Sequence, residues 1–196
     1  MKASKRRSAI LASAAPIFNR RGFAGTSIAE ILAATSLEKG GLYNHFASKE
    51  ELAIAAFDYA WNEVNAYFAR ELHGTAPGMP YLHAYVDAFA RYVENPVVEG
   101  GCPLVNATLE ADDALPFLQE RVRAGLAQVQ SFVRHQLERA VEKGQLAASL
   151  DLAADADFLV ATLQGTIVLA RGLRSRTAIR NATGALHAWL HALEPS

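Results

Sequence analysis

Cysteine is almost absent from this sequence of 196 residues, which contains only Cys102. A single cysteine excludes a disulfide within the chain and leaves too few thiolates for a structural zinc site. Proline and glycine number 7 and 13, well below the content of collagen-like or linker-like chains. Apolar residues make up 51% and charged residues 20% of the chain, so disorder is excluded as the main state. These features predict a globular protein of the cytoplasm.

Long hydrophobic runs are missing as well. No stretch of 18 uninterrupted apolar residues occurs, and no membrane span is therefore expected. An apolar stretch from 9 to 18 follows basic residues, as in a signal peptide. However, Ser13 and Pro16 interrupt it, and it continues directly into Asn19-Arg20-Arg21. We therefore interpret this stretch as part of the first helix of the folded protein.

The net charge of −1 conceals an asymmetry between the two parts of the chain. Residues 1–50 contain eight Lys and Arg against three acidic residues, a net charge of +5, whereas residues 51–196 carry −6. A basic head on an acidic body indicates that the head binds a polyanion such as nucleic acid, although chance could also produce the difference.

Apolar residues recur at helical spacing along nearly the whole chain. No alternating segment is long enough for a sheet. The fold is therefore predicted to be all-α, with about nine helices. They are expected at 4–21, from 27 to a turn at 35–37, from there to 46, and at 48–73, 81–93, 103–111, 116–143, 152–171 and 177–193.

Helix start and stop signals define the first part of the chain. Pro16 should bend the first helix and Gly22 should end it. Ser27 and Glu30 fit a capping box at the start of the second helix, and 48–51 fit another at the start of the fourth.

Three short helices before residue 47, with a tight turn between the second and third, match a helix-turn-helix DNA-binding unit. In such a unit the third helix enters the major groove. Asn44 and His45 could bond to base edges, Lys39 to a phosphate or guanine, and Tyr43 to a phosphate. Its core is expected from Phe18, Phe23, Ile28, Ile31, Leu37, Leu42 and Phe46. The predicted DNA-binding residues are Thr26, Ser27, Lys39, Gly40, Gly41, Tyr43, Asn44, His45 and Lys49.

Residues 10–52 resemble the DNA-binding domain of the TetR/AcrR family of transcriptional regulators. The resemblance rests on Arg21-Gly22-Phe23, on Thr26 with 28–31, on 40–46, and above all on Leu42-Tyr43-x-His45-Phe46 followed by Lys49-Glu50-x-Leu52. A looser similarity to the ligand domain of one branch covers 100–106 and 110–113, including Asp112 and Asp113. The resemblance implies a homodimeric, ligand-responsive regulator of double-stranded DNA.

Two positions depart from the family pattern. Members usually have Ala-Gly in the turn, whereas this chain has Thr35-Ser36, so serine must fill a position that favours glycine. Members usually cap the third helix with Ser or Thr. Glu38 suits the helix dipole but is a poor cap and would repel a nearby phosphate.

We expect a DNA-binding domain at 4–64 and a regulatory domain for ligand binding and dimerisation at 65–196. The resemblance implies a ligand pocket among the fourth to eighth helices, and aromatic walls with a few polar groups suit such a pocket. For any single aromatic residue, however, ordinary core packing is the favoured interpretation. The residues predicted to bind ligand are Trp61, Tyr85, Phe89, Cys102, Asn106, Phe132 and Gln164.

Cys102 and two histidines have alternative interpretations. Cys102 precedes a helix N-terminus, so it could be a sensor thiol or a small buried side chain. His187 and His191 share one helix face, but no third ligand is evident, and neither a metal nor another cofactor is expected. We instead place that face at a subunit interface. The residues predicted at the interface are Leu159, Leu163, Ile167, Trp189, Leu190 and Leu193.

The sequence contains no phosphate-binding glycine loop, serine elbow or evident Cys–His pair, and an enzyme is not expected. The sequence therefore predicts a cytoplasmic DNA-binding regulator. We expect a homodimeric repressor that is released from a palindromic operator by a small molecule. The alternative is an all-α interaction or dimerisation module without ligand response.

Overall fold

A computed structural model describes residues 2–111 and 115–195, with side chains from residue 5 onward. Asp112 and Asp113 of the looser family pattern lie outside the described residues. Within the described ranges the chain forms nine helices and no strand, as predicted. The helices are α1 (Lys2–Gly25), α2 (Ile28–Thr35), α3 (Lys39–Tyr43), α4 (Lys49–Glu71), α5 (Met79–Glu94), α6 (Pro103–Thr108), α7 (Pro116–Glu142), α8 (Leu152–Gly172) and α9 (Arg176–Leu193).

The predicted signals at Gly22 and at the Ser27 capping box are confirmed. Gly22 has φ 73° and ψ 177°, which interrupts the helical backbone of α1. This conformation favours glycine because it has no Cβ. Ser27 caps α2 in a reciprocal capping box, in which its hydroxyl accepts from the backbone N–H of Glu30 and the Glu30 carboxylate accepts from the backbone N–H of Ser27.

The first of two compact units contains residues up to Ala66 together with 96–125. Its core includes the buried side chains of Ile31, Leu42 and Phe46, with Phe18, Ile28 and Leu37 packed partly exposed around them. Phe23, also predicted in this core, instead packs edge-on against Phe117, with ring centroids 5.1 Å apart. Val98 joins the core from far along the chain, so the contacts do not follow the expected boundary at 64/65. That boundary stays a prediction about function.

The second compact unit contains 67–95 and 126–196. Its interior holds a continuous group of aromatic rings, including Tyr67, Phe68, Tyr85, Phe89, Tyr92 and Phe132. Tyr85 and Phe132, which were both predicted to bind ligand, have centroids 5.4 Å apart.

Helix α9 packs against α5 and α8 in the second unit. The rings of His83 on α5 and His187 on α9 are nearly parallel and meet edge to edge, with centroids 5.0 Å apart, and the His83 centroid lies 4.5 Å from that of His191. Burial is the main cause that lowers the pKa of His83, and the two neighbouring imidazoles lower it further.

The prediction that Leu159, Leu163 and Ile167 of α8 face a partner subunit is wrong. Leu159, Leu163, Ile167 and Leu190 are at most 3% exposed within a single protomer, so they pack inside the unit and are closed to a partner. Trp189 and Leu193 are half-buried, and the Trp189 ring contacts Phe158. The outward face of α8 instead carries exposed apolar side chains at Phe158, Val168 and Leu169, and Leu173, the residue that follows the helix, is exposed as well.

Helix α8 is also long and apolar enough, by length and composition alone, to cross a membrane, with a mean hydropathy of 1.4 over its most apolar window. A core helix of a soluble protein passes the same test. Its contacts with α9 account for the apolar inner face.

Candidate nucleic-acid interface

The turn between α2 and α3 adopts the backbone conformation that the family pattern implies, but with serine in place of glycine. Ser36 has φ 52° and ψ 36°, in the left-handed region. The backbone N–H groups of Ser36 and Leu37 both donate to the carbonyl of Leu32, which closes the end of α2. A left-handed conformation at a residue with a Cβ is strained, and the closing hydrogen bonds offset that strain.

Glu38 occupies the N-cap position of α3, where its extended backbone has φ −81° and ψ 160°. Its side chain makes no capping hydrogen bond, as expected for glutamate. The helix is therefore held mainly by Leu42 and Phe46, which are 1% and 2% exposed in the core of the first unit.

The opposite side of α3 presents the predicted DNA-reading residues to solvent. Lys39, Gly40, Tyr43 and Asn44 are exposed, and His45 is half-buried. Within the part of the chain that the structure describes, no hydrogen bond or ion pair engages the side chains of Lys39, Tyr43 or Asn44. A Cβ added at Gly40 would meet open space, while one at Gly41 would contact Leu37. The outward surface of α3 is therefore polar and free of the contacts described above, and Gly40 adds no side chain to it. Such a surface suits insertion into a groove.

Two residues predicted to contact DNA, Thr26 and Lys49, instead have partners inside the first unit. Thr26 is 2% exposed and its hydroxyl donates to the carbonyl of Gly22 over 2.7 Å, so its side chain is closed to a phosphate. The Lys49 ammonium donates to the Phe23 carbonyl over 2.6 Å and lies 4.3 Å from the Phe23 ring centroid. These contacts give Thr26 and Lys49 structural roles in this conformation.

Ser27 remains exposed, but its hydroxyl and backbone N–H are occupied by Glu30 in the capping box. The hydrogen bond from the Ser27 backbone is the largest influence on Glu30 and lowers the pKa of its carboxyl group. Arg21 forms an ion pair with the same carboxylate. The hydroxyl and the N–H group of Ser27 at the start of α2 are therefore already bonded within the chain and are not available to a phosphate in this conformation.

The predicted site omitted the basic residues at the beginning of α1. Lys5 and Arg6 line a pocket of about 570 Å³ together with Thr35 and Leu37 of the α2–α3 turn. The guanidinium of Arg7 lies 4.7 Å from the ring centroid of Phe46. The signal was present in the charge count of residues 1–50, but only packing shows that these cations lie beside the turn.

A set of polar contacts, which we call the polar clamp, joins the end of α1 to residues 99–110 in the first unit. The amide of Asn19 donates to the carbonyls of Glu99 and Gly101 over 3.0 and 2.8 Å. The amide of Asn106 donates to the carbonyl and side-chain oxygens of Asn19, both over 2.9 Å. Asn106 was predicted to bind ligand, and the structure instead engages it in this clamp.

Glu110 completes the polar clamp at the turn between α1 and α2. Its two carboxylate oxygens accept from the backbone N–H groups of Phe23 and Ala24 over 2.7 and 2.8 Å. A Cβ at Gly22 would lie 2.6 Å from this carboxylate. Glycine at position 22 therefore provides both the left-handed backbone and the space that Glu110 occupies.

The remaining residues predicted to bind ligand are divided between the two units. Trp61, Cys102 and Asn106 belong to the first, and Tyr85, Phe89, Phe132 and Gln164 to the second. Cys102 is 4% exposed at the N-cap of α6. Burial favours the packing interpretation of this thiol over the sensor interpretation, because a reacting thiol needs access. The ligand site itself stays a prediction.

The fold and this surface define a helix-turn-helix DNA-binding protein, and comparison with known proteins agrees. Residues 10–56 match the family model described as bacterial regulatory proteins, tetR family. Residues 78–186 match the tetracyclin repressor-like C-terminal domain.

Full-length relatives support the same assignment. An HTH-type transcriptional repressor named DhaR, from a Mycobacterium species, is 29% identical over 82% of this chain and 79% of its own length. The crystal structure of a TetR transcriptional regulator from Chloroflexus aurantiacus superposes with a TM-score of 0.92 at 39% identity, covering 97% of this chain and 96% of that one. A TetR-family regulator from Cytophaga hutchinsonii superposes with a TM-score of 0.90 at 26% identity, covering 100% and 98% of the two chains.

The chain belongs to the TetR family. It is accordingly a DNA-binding transcriptional regulator, in a family whose members typically form dimers.

Proposed function

We propose that the protein is a cytoplasmic homodimeric repressor that binds a near-palindromic operator and is released from it by a small molecule. The observation that carries this proposal is the outward side of α3. Its polar side chains are exposed while Leu42 and Phe46 anchor the helix from within. A buried anchor and an uncommitted polar surface on one short helix are what base reading requires.

The side chains on the outward side of α3 suit different groups of the DNA. The Asn44 amide offers a donor and an acceptor, which suits the edge of adenine in the major groove. Lys39 suits guanine or a phosphate, and the Tyr43 hydroxyl suits a phosphate oxygen. The absence of a side chain at Gly40 allows the helix to approach the groove floor closely. Lys5 and Arg6 add basic charge beside the turn.

The outward apolar face of α8 is our proposed dimer interface. Phe158, Val168 and Leu169 of α8, together with its C-cap Leu173, are between 49% and 68% exposed, which is unfavourable for large apolar side chains unless a partner covers them. A Cβ at Gly165 on the same helix would meet open space, which leaves room for a partner helix to approach closely. A two-fold dimer would present two α3 helices to half-sites about 34–36 Å apart, which is why the operator should be near-palindromic.

Release by a ligand is the second part of the proposal. The aromatic group in the second unit supplies apolar walls of the kind that bind small molecules. Helix α4 runs from the first unit into the second, and the polar clamp ties residues 99–110 to the end of α1. A ligand that displaced either element would change the orientation of α3. A difference in ligand affinity worth about 1–3 kcal/mol between the two states would make a usable switch.

DNA binding is tested by fluorescence anisotropy on the DNA upstream of the protein's own gene. Asn44→Ala should weaken specific binding about 5–150-fold, because a bidentate base contact contributes about 1–3 kcal/mol. Tyr43→Phe should weaken it less, through loss of one phosphate bond. Asn62→Ala, an exposed asparagine of α4, is the matched control and should bind as the wild type does. Wild-type affinity in both α3 variants would contradict the proposal.

Ligand release is tested separately, by screening small apolar compounds for a rise in melting temperature and for dissociation of the protein–DNA complex. A compound that does both supports the proposal. If no compound does either while DNA binding holds, the second unit is a dimerisation module without ligand response.

A further inference from the structure

The packing of α5 against α9 brings together three side chains that lie far apart in the sequence. His83 comes from α5, His191 from the last turn of α9, and Glu194 follows directly after α9. One ligand atom from each residue lies within 4.8 Å of the other two. The Glu194 carboxylate oxygen Oε1 is 3.6 Å from His83 Nε2 and 3.2 Å from His191 Nδ1.

A chain of hydrogen bonds determines the tautomer of His83. His187 Nε2 lies 2.9 Å from Asp87 Oδ1, and because a carboxylate can only accept, this nitrogen carries the proton. His187 Nδ1 is then the acceptor in its 2.7 Å contact with His83 Nδ1, which must donate. A neutral His83 therefore has no proton on Nε2.

The lone pair on His83 Nε2 is left facing an anion. This nitrogen is buried and has no hydrogen-bond partner among the described residues. The Glu194 carboxylate oxygen Oε1, which also carries lone pairs, lies 3.6 Å from this nitrogen. Two acceptors at this distance repel each other unless a cation lies between them.

We propose that His83, His191 and Glu194 bind a divalent transition-metal ion of the zinc type. Imidazole nitrogen and carboxylate oxygen are ligands that zinc accepts, with bonds of about 2.0–2.2 Å. A tetrahedral site with such bonds separates its ligand atoms by about 3.3 Å. The separations of 3.2 Å between Glu194 Oε1 and His191 Nδ1 and of 3.6 Å between Glu194 Oε1 and His83 Nε2 are close to this value.

The surroundings support the ligand set. Asp87 and His187 hold the His83 ring through its other nitrogen, as outer partners commonly do for metal-bound histidines. The site opens into a pocket of about 390 Å³, so a fourth position is accessible to water or an exogenous ligand. The pocket is lined by Met79, Pro80, His83, Gln145, His191, Glu194 and Pro195.

The proposal departs from the sequence analysis, which found only His187 and His191 and expected no metal. Glu194 lies only three residues after His191, but the sequence could not reveal His83, which lies more than 100 residues before both. The structure places the His187 ring behind His83 and outside the proposed ligand set.

The test uses the full-length protein with any affinity tag removed and bound metal stripped by a chelator. Isothermal titration with Zn²⁺ should give one site per protomer, and Co²⁺ should develop the visible absorption of a tetrahedral complex. Zn²⁺ at about 100 times its dissociation constant should raise the melting temperature by about 5–10 °C. Mg²⁺ at the same concentration should not, because it prefers oxygen ligands.

Variants assign the binding to these residues. His191→Ala and Glu194→Gln change exposed side chains, so they should fold normally and lose at least tenfold in Zn²⁺ affinity. Asp87→Asn should weaken Zn²⁺ binding about 10–100-fold, because the asparagine no longer fixes the tautomer of His187 and, through it, that of His83. His135→Ala removes an exposed histidine of α7 and should bind Zn²⁺ as the wild type does.

Three outcomes are informative. Site-specific loss with an unchanged control supports the metal site. Equal Zn²⁺ affinity in the wild type and the His191 and Glu194 variants would overturn it, since binding would then be adventitious. The absence of Zn²⁺ binding up to millimolar concentration would also overturn it and leave a hydrogen-bonded histidine cluster. None of these outcomes depends on DNA binding.

Discussion

Glu110→Ala is the sharpest test of how the DNA-binding head is held. The wild-type carboxylate accepts two backbone hydrogen bonds, from Phe23 at 2.7 Å and Ala24 at 2.8 Å. Bonds to a charged acceptor contribute about 1.5–3 kcal/mol each, but water can replace part of the contribution at the exposed Ala24. We therefore expect a loss of about 1–3 kcal/mol in the free energy of unfolding. For a protein of this size that lowers the melting temperature by about 3–10 °C.

Hydrogen exchange gives a more local readout of the same substitution. Without Glu110, the amides of Phe23 and Ala24 should exchange about 5–150 times faster, since each 1.4 kcal/mol of protection is a factor of ten. Operator affinity should fall at the same time, because the turn before α2 is no longer fixed. Glu120→Ala, an exposed carboxylate of α7 in the same unit, is the control. An unchanged melting temperature and unchanged exchange rates in Glu110→Ala would contradict the stabilising role that we assign to Glu110 in the polar clamp.

Three further substitutions test other parts of the fold. Ser36→Gly should raise the free energy of unfolding by about 0.5–1 kcal/mol in chemical denaturation, because it relieves a left-handed backbone; lower stability would contradict that reading. Glu38→Ser should add a cap to α3 worth about 1 kcal/mol and tighten operator binding in anisotropy measurements, whereas weaker binding would mean that Glu38 itself assists recognition. Leu169→Glu should convert a dimer to monomers in sedimentation, while Leu109→Glu, at a still more exposed leucine of the first unit, should not; a persistent dimer would place the interface elsewhere.

Local signals made most of the fold predictable. The capping box at Ser27 and the stop at Gly22 act through neighbours within a few residues, and both are present as expected. The burial of Leu42 and Phe46 follows from their helical spacing. The serine in the turn and the poor cap at Glu38 were also visible from the pattern alone, because helix ends are governed by adjacent backbone groups.

Long-range partners account for the errors. Asn106 and Lys49 were assigned to ligand and DNA, but their partners lie 87 and 26 residues away and could not be seen in the sequence. Helix α8 is apolar on more than one face, so its periodicity did not distinguish the inward Leu163 from the outward Leu169. Hydrophobic spacing identifies the faces of a helix, and only packing decides which of them is buried.

Val98 lies in the core of the first unit, and Glu110 accepts hydrogen bonds from the backbone of Phe23 and Ala24. Both contacts affect how the chain can fold while it is being synthesised. The head is encoded at the start of the chain, yet part of its interior is supplied by residues translated much later. A nascent chain that has emerged only through α4 therefore lacks groups that its first helices need, and it leaves apolar surface uncovered in the meantime. Slowing translation before residue 98 should prolong this vulnerable interval, and truncation there should yield an aggregation-prone fragment rather than a small autonomous DNA binder.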